Sequence, residues 1–363
     1  METQRLARAL EGLLRSSGAS RESLEVLVDL SSTERTEFLR IVRIHGLSGL
    51  TLERLRSAED PSLDALVQGL EPGARRAMAL GLRLQRACRE VSAILSGADV
   101  APVAPIKGVA LHACLYGSVG ARNATDVDLL IPPESADRAH QALVEAGYSH
   151  VIKDPARPSA MAVNYENSYL GPDGVLMDVH VGLAQVDRVD LDAAGMLQRA
   201  VMNPQLEPWG STLVQLDPED TLLILAVHLA QDAYQGPFRQ LVDLAWCWAR
   251  MEPDIIVAAT RARKAGAATA LWAGLWLARE RCGAEVSDGD LALVAPARIR
   301  QRWLRWLWGE APLTPIPWRK GSRLVQVATL YPVMDGGRRR ARFTWRYLRH
   351  RLRDWVGLAP VHH

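Results

Sequence analysis

The hydrophobic periodicity of the chain changes abruptly at Asp99. Before this residue, apolar side chains recur at spacings of three and four, which is typical of amphipathic helices. Residues 100–106 instead form a short β-rich run, and a second strand is predicted at 127–131. After about Gln215 the helical spacing returns. The sequence therefore predicts a small α/β segment that lies between two helical regions.

Turn residues and helix caps add detail to this outline. The run Gly171-Pro172-Asp173-Gly174 separates segments 164–170 and 175–181, which predicts a β-hairpin. Helix N-termini are predicted at Ser31 and Asp217, where acidic residues follow a capping side chain. In and after the α/β segment, we expect helices at 109–115, 136–146, 222–234, 238–250 and 255–281.

The length of 363 residues suggests about two to three domains. We divide the chain into an N-terminal helical region (1–98), an α/β core (99–200) and a C-terminal helical region (201–363). The expected fold class is α+β, with a small mixed sheet flanked by an N-terminal and a larger C-terminal helical region. The sequence leaves open whether the helical ends are separate domains or one shell.

Several classes of protein are disfavoured by the sequence. The apolar C-terminal half has no charge-free stretch longer than about fourteen residues, whereas a helix that spans a bilayer needs about 18. Charged residues interrupt the N-terminal segment at helical intervals, which argues against a secretory signal. The four cysteines form no CxxC pair and are expected to be small buried residues. We therefore expect a cytoplasmic protein with no transmembrane segment.

Basic residues are concentrated near the C-terminus. Between Arg298 and Asp354 there are fifteen Lys or Arg residues and three acids, although the net charge of the whole chain is only +2. In the tail at 338–356, one predicted helical stripe is apolar and arginines occupy the other faces. This tail either completes the C-terminal bundle or binds an anionic partner, such as RNA, an acidic peptide or a membrane surface.

Two strands of the predicted core carry acidic residues. Asp126 and Asp128 are spaced by two, so their carboxylates point to the same face of a strand. Asp178 and His180 repeat this spacing in the second strand of the hairpin. Three acids on neighbouring strands can hold two Mg²⁺ ions, which clamp the oxygens of a phosphoryl transfer.

Upstream of these acids, Lys107 and Gly108 lie between a predicted strand and a helix N-terminus. Backbone N–H groups at such a point, a glycine that permits close approach and a lysine beside it suit a triphosphate. Arg122 lies four residues before Asp126 and is expected to reach the phosphates or to lock the loop.

Taken in order, these motifs resemble the DNA polymerase-β nucleotidyltransferase superfamily. Lys107-Gly108, Arg122 and Asp126-Val127-Asp128-Leu129-Leu130 are similar to the KG…R…DxDLL pattern of its uncharacterised nucleotidyltransferases, and Asp178-Val179-His180 matches a later DxH element. The likeness is strongest at 100–182 and extends loosely over 40–250, through Ile44-His45-Gly46-Leu47, Leu225 with His228, and Leu241-Val242-Asp243-Leu244.

The resemblance implies a role for each acid. Asp126 and Asp128 would bind two Mg²⁺ ions, with Mn²⁺ as an alternative, and Asp178 would bind the catalytic ion and activate the nucleophile. The acceptor would attack the α-phosphate of an NTP such as ATP, and pyrophosphate would leave. Gly108 takes the first position of a G-[GS] signature, from which Val109 departs.

Some assignments have alternatives. Gly117-Ser118 is a second candidate for the glycine signature, but it lies close to Asp126 in sequence and no strand precedes it. Arg122 can instead pair with Asp126, and Lys107 can be a solvated turn residue. His180 either contacts the nucleotide and assists the nucleophile or orients a carboxylate. His228 is interpreted as a core histidine, and Asp243 as a helix-packing or nucleotide-pocket residue.

The leading hypothesis is a Mg²⁺-dependent enzyme that moves NMP from an NTP to a small-molecule or peptide acceptor. By resemblance, such enzymes belong to natural-product or polysaccharide biosynthesis. A toxin-like enzyme that modifies tRNA is one alternative, suggested by the basic tail. A catalytically degenerate domain that binds a nucleotide or a partner protein is the other, suggested by Val109.

Overall fold

The computed structural model describes residues 2–151, 165–184, 189–232, 234, 236–308, 333–338, 340, 341 and 345. Within them, the protein is α+β, as the sequence predicts, with fourteen α-helices and two small sheets. The apolar stripe predicted in the basic tail consists of Trp345, Leu348, Leu352 and Trp355; the last three lie outside the described residues, and Trp345 is exposed.

The N-terminal helical region begins the chain. Its third helix starts at the predicted cap Ser31 and has a capping box, because the Ser31 side chain accepts from the Glu34 N–H and the Glu34 side chain accepts from the Ser31 N–H. The five helices of this region are α1 (Glu2–Leu13), α2 (Arg21–Val28), α3 (Ser32–Ile44), α4 (Ser48–Ser57) and α5 (Asp64–Gly97).

A mixed five-stranded sheet forms the centre, in the order β1-β2-β5-β4-β3. Strand β2 pairs parallel with β5, and the other pairs are antiparallel, including the predicted hairpin of β4 and β5. The strands are β1 (Ala104–Ile106), β2 (Asp126–Leu130), β3 (Ser149–Val151), β4 (Glu166–Leu170) and β5 (Leu176–His180); α6 (Gly108–Leu111) follows β1, and α7 (Ala136–Glu145) follows β2.

After a short helix and a two-stranded ribbon, the C-terminal helices begin at the predicted cap Asp217. The run predicted at 255–281 is divided in two, because Gly266 adopts φ +71° and ends the first helix. The elements are α8 (Ala193–Arg199), β6 (Val201–Met202), β7 (Val214–Gln215), α9 (Pro218–Gln231), α10 (Arg239–Met251), α11 (Ile255–Ala265), α12 (Ala268–Cys282), α13 (Asp288–Val294) and α14 (Arg298–Trp308).

Two hydrophobic clusters organise these elements. One joins β2 and β5 to α5 and α7 on one side of the sheet. The other contains buried residues of both helical regions, and α1 packs on α12. The two ends of the chain therefore share a core, while the domain boundaries at 98 and 200 stay a prediction.

Two further sequence expectations concern membranes and cysteines. Across the described residues, no helix combines the length and the hydrophobicity needed to cross a bilayer. All four cysteines are free thiols; Cys88, Cys247 and Cys282 are buried, as predicted, and Cys114 is half-buried.

Candidate active site

The three predicted acids lie together on one face of the sheet. In the parallel pair of β2 and β5, Asp128 is directly opposite Asp178. Asp126 is two residues before Asp128, so its side chain points to the same face. The prediction that these acids occupy neighbouring strands is confirmed. We call this surface, formed by Asp126, Asp128 and Asp178 with Glu166 and Ser168 of the next strand, β4, the acidic face.

Strand β4 adds two residues that the sequence analysis missed. Glu166 is opposite His180 and Ser168 is opposite Asp178. The Ser168 hydroxyl donates to Asp178 Oδ1 over 2.6 Å, and Glu166 Oε2 lies 3.7 Å from His180 Nδ1. The predicted turn at 171–174 did not identify them, because it would pair residue 170 with 175, whereas Leu170 is opposite Leu176, and a shift of one residue changes the face of the strand.

Asp128 is held from two directions. Lys107 Nζ lies 2.9 Å from Asp128 Oδ1, and His180 Nε2 donates to the same oxygen over 2.9 Å. His180 therefore orients a carboxylate, which is one of the two roles considered for it. Lys107 is not a solvated turn residue, since its side chain is only 19% exposed. Its backbone has φ +54°, a costly conformation for a residue with a Cβ.

The carboxylates of the acidic face differ in their electrostatics. Burial, together with the charges of Asp128 and Asp178, raises the pKa of Asp126. Burial alone would also raise the pKa of Asp128, but Lys107 and the hydrogen bond from His180 reverse this and lower it well below its usual range. Burial opposes the charge of Lys107, yet Asp128 raises the pKa of this lysine. The cluster therefore contains carboxylates that repel one another.

The acidic face presents the kind of donor that binds magnesium. Mg²⁺ prefers carboxylate oxygens, and a divalent cation would relieve the repulsion that raises the pKa of Asp126. Within the described part of the chain, no group of three or more His, Cys, Asp or Glu side chains is arranged to hold a metal ion. Asp128 Oδ1 is instead bonded to Lys107 and His180. The carboxylates are of the donor type that Mg²⁺ prefers, but Lys107 and His180 engage Asp128 Oδ1, so a cation would bind there only in competition with Lys107.

Arg122 locks its loop onto a helix of the C-terminal region. Its Nη2 lies 2.7 Å from Asp243 Oδ2 on α10, and both side chains are buried. Tyr116 donates its hydroxyl to Asp243 Oδ1 over 2.7 Å. His112 Nε2 donates to the Arg122 carbonyl over 2.9 Å, and burial lowers the pKa of His112 to about 4. Arg122 is thus paired with Asp243, not with Asp126, and this pair gives Asp243 its structural role.

The acidic face borders a cleft of about 480 Å³. Gly108 lines it, whereas Gly117 and Ser118 do not, which favours Gly108 as the signature glycine. A Cβ at Gly108 would meet Ala124 Cβ at 3.5 Å and the Asp126 carbonyl at 3.6 Å, which are ordinary contacts. The lining residues are Lys107, Gly108, Arg122, Asn123, Ala124, Thr125, Asp126, Asp128, Tyr165, Glu166, Asp178, His180, Leu183, Ile224, His228, Gln231, Asp232, Pro237, Arg239 and Gln240.

Helices α9 and α10 form the opposite wall of the cleft. Gln240 Nε2 donates to His228 Nε2 over 3.0 Å and to Asp232 Oδ2 over 2.6 Å. Burial and the charge of Lys107 lower the pKa of His228 to about 4, which matches its role as an acceptor. The interpretation of His228 as a core histidine is therefore wrong, because it lines the cleft. Sequence spacing gave no signal for Asp232, Arg239 or Gln240, since only helix packing brings them to this wall.

A protein-family model described as uncharacterised nucleotidyltransferase matches residues 31–283. This match covers well over half of the chain, including the acidic face and both walls of the cleft. The protein therefore belongs to this nucleotidyltransferase family, as the resemblance implied. A search of curated proteins found no match to the chain. The narrower KG…DxDLL…DxH branch stays a prediction.

Proposed function

We propose that the protein transfers a nucleoside monophosphate from an NTP to an acceptor and releases pyrophosphate. The observation that carries the proposal is the acidic face itself, where Asp126, Asp128 and Asp178 border one side of a 480 Å³ cleft. This volume lies within the range of small-molecule sites. Membership of a nucleotidyltransferase family supports the general class of reaction.

Asp126, Asp128 and Asp178 would hold two Mg²⁺ ions, with Mn²⁺ as an alternative. Bound there, the ions would neutralise charge on the phosphates and make the α-phosphorus more electrophilic. The chain's own contribution is to fix these carboxylates. His180 orients Asp128, and the Ser168 hydroxyl orients Asp178.

The reaction forms a bond between an acceptor oxygen and the α-phosphorus. The bond from the α-phosphorus to the bridging oxygen breaks, and that oxygen leaves as part of pyrophosphate. Asp178 would accept the proton of the acceptor hydroxyl, since it is a carboxylate on the cleft wall that is held in place by Ser168. Positioning and electrostatics would provide most of the rate acceleration.

The proposed acceptor is a small molecule or a peptide side chain. This choice rests on the resemblance to accessory enzymes of natural-product or polysaccharide pathways, since the cleft is open to solvent and does not by itself limit the size of the acceptor. ATP is the proposed donor. The basic tail that suggested tRNA lies almost entirely outside the described residues.

The test uses each α-³²P-labelled NTP with Mg²⁺ and three acceptor pools: a metabolite extract freed of macromolecules, a mixture of synthetic peptides, and total tRNA. Pyrophosphate release, with label entering the metabolite or peptide pool, is the expected result, and Asp178→Asn should abolish it. Label in tRNA would support the RNA-modifying alternative. If the wild type releases no more pyrophosphate and incorporates no more label than Asp178→Asn in every pool, the proposal is contradicted and a degenerate domain is favoured.

A further inference from the structure

Arg239 is a half-buried arginine at the start of α10, and it lines the cleft. Among the described residues, no carboxylate lies within 4.0 Å of its guanidinium, and it makes no hydrogen bond. The N–H donors of a guanidinium suit carboxylate or phosphate oxygens, and without an acidic partner in the described part of the chain they stay available to a ligand in the cleft. This arginine is therefore in a place where a ligand can provide the missing anion.

The neighbouring charges do not compensate Arg239. Burial, followed by repulsion from Arg122, lowers the pKa of Arg239 to about 10, although Asp243 and Asp126 act in the opposite direction. Asp243 is already bonded to Arg122 and to Tyr116. Asp126 belongs to the acidic face of the same cleft. An anion bound beside Arg239 would consequently lie within the cleft that the acidic face borders.

A turn of the N-terminal helical region packs against Arg239. His45 Nδ1 accepts the backbone N–H of Phe238, the residue before Arg239, over 2.9 Å. A Cβ added to Gly46, which has φ +69°, would lie only 3.0 Å from Arg239 Nη1. The Gly46 carbonyl also accepts the Asn123 N–H over 2.9 Å. This turn therefore connects the loop before the acidic face with the start of α10.

We propose that Arg239 binds the phosphate oxygens of the nucleotide's leaving pyrophosphate group, and that the His45–Gly46 turn positions it. The proposal rests on the function proposed above. An arginine presents paired N–H donors that match phosphate oxygens, and its charge stabilises the negative charge that develops on the leaving group. Arg122 is less suited to this role, because Asp243 already neutralises it.

Isothermal titration with Mg²⁺ present tests this assignment with three probes: ATP, inorganic pyrophosphate and adenosine. Arg239→Gln should weaken ATP and pyrophosphate binding about 10- to 100-fold, the range expected for lost charged hydrogen bonds, and leave adenosine unchanged. The affinity of Arg239→Lys for ATP and pyrophosphate should lie between that of the wild type and that of Arg239→Gln. Arg76→Gln is the matched control, since Arg76 is exposed on α5.

The positioning role of His45 is tested by a double-mutant cycle. His45→Ala should weaken pyrophosphate binding but not adenosine binding, and adding it to Arg239→Gln should cause no further loss. Additive losses would show that the turn acts independently of Arg239.

Two results distinguish this proposal from the proposed function. If the wild type binds neither ATP nor pyrophosphate, the proposed function fails. If the wild type binds both and Arg239→Gln binds them equally well, the assignment of Arg239 is overturned while the function stands.

Discussion

The two faces of the five-stranded sheet are made by the same strands and have opposite chemistry. On one face, Val127, Leu129 and Val179 are buried in a core with α5 and α7. On the other face, Asp126, Asp128 and Asp178 border the cleft. Because side chains alternate along a strand, Val127 is followed by Asp128 and Val179 by His180, and both of these polar residues line the cleft.

This comparison assigns different tasks to the two faces. The apolar face contributes free energy of folding through burial. On the acidic face, ionised Asp126 works against folding, as its raised pKa indicates, because burial and the charges of Asp128 and Asp178 disfavour its negative charge. Strained or repulsive groups persist in proteins where they serve function. Substitutions on the acidic face should therefore lower activity without lowering stability. Substitutions on the apolar face should lower stability and leave the activity per folded molecule unchanged.

The largest effect is expected for Asp126→Asn. Transfer activity should fall at least about 100-fold, since a group that stabilises the transition state is lost. The melting temperature should stay the same or rise, because one of the repelling charges is removed. Activity assays and thermal denaturation of the same samples measure both quantities.

Asp137→Asn is the matched control, because Asp137 is exposed on α7 behind the other face. A large loss of stability in Asp126→Asn would contradict the contrast between the two faces.

Leu129→Ala should show the reverse pattern. Leu129 is fully buried, so the truncation should lower the free energy of unfolding by about 2–5 kcal/mol. The activity per folded molecule should be close to that of the wild type. Denaturant unfolding gives the first quantity, and assays well below the melting temperature give the second. Leu170→Ala, at a 43% exposed leucine of β4, should change stability by only about 0.5 kcal/mol.

Gly108→Ala tests the wall of the cleft beside the acidic face. The added Cβ makes only ordinary contacts within the protein, so stability should change by less than about 1 kcal/mol. NTP affinity should fall about tenfold, because the methyl group would take up space that the ligand needs. Calorimetric titration measures the affinity. Gly97→Ala is the control, because a Cβ there would meet nothing within 4 Å. Equal NTP affinities of the two variants would show that Gly108 is not part of the binding site.

The smallest effect concerns pH. Burial and the charge of Arg239 lower the pKa of His45 to about 4, whereas an unfolded histidine has a pKa near 6.5. The unfolded state therefore binds more protons between these values. The stability from neutral His45 is complete above about pH 6.5 and is lost as the pH falls towards 4.

His45→Gln should make the pH dependence of stability shallower by up to about 1 kcal/mol per pH unit in this window. Denaturant unfolding at several pH values measures the slope. His112 also has a lowered pKa, but it is present in the wild type and in His45→Gln. The difference between their curves of stability against pH therefore reports on His45. Identical slopes would contradict the burial of a neutral His45.

Local sequence signals were sufficient to predict the three aspartates of the acidic face. The spacing of Asp126 and Asp128 specifies one face of a strand, and the turn before Val175 specifies the hairpin that carries Asp178. These features depend on neighbours along the chain, where periodicity and turn residues are informative.

The rest of the cleft depends on long-range packing. The contact of Lys107 with Asp128 follows from the pairing of Ile106 with Asp128, while the predicted contact of Lys107 with a phosphate stays a prediction. Arg239 and Gln240 face the site only because α9 and α10 pack beside the sheet. Local spacing along the sequence does not specify which residues of distant helices come into contact.

The break between α11 and α12 was also missed. It follows from the backbone conformation of Gly266, which the helical periodicity did not reveal.

The most direct test of the central claim is the melting temperature with each NTP, with and without Mg²⁺. Wild type is compared with the double variant Asp126→Asn/Asp128→Asn. A nucleotide at about 100 times its dissociation constant adds about 2.7 kcal/mol of stability, which corresponds to a shift of a few degrees. We predict a Mg²⁺-dependent rise with at least one NTP in the wild type and none in the variant. Equal shifts in both proteins, or no shift with any nucleotide, would contradict the assignment of the acidic face as the metal and nucleotide site.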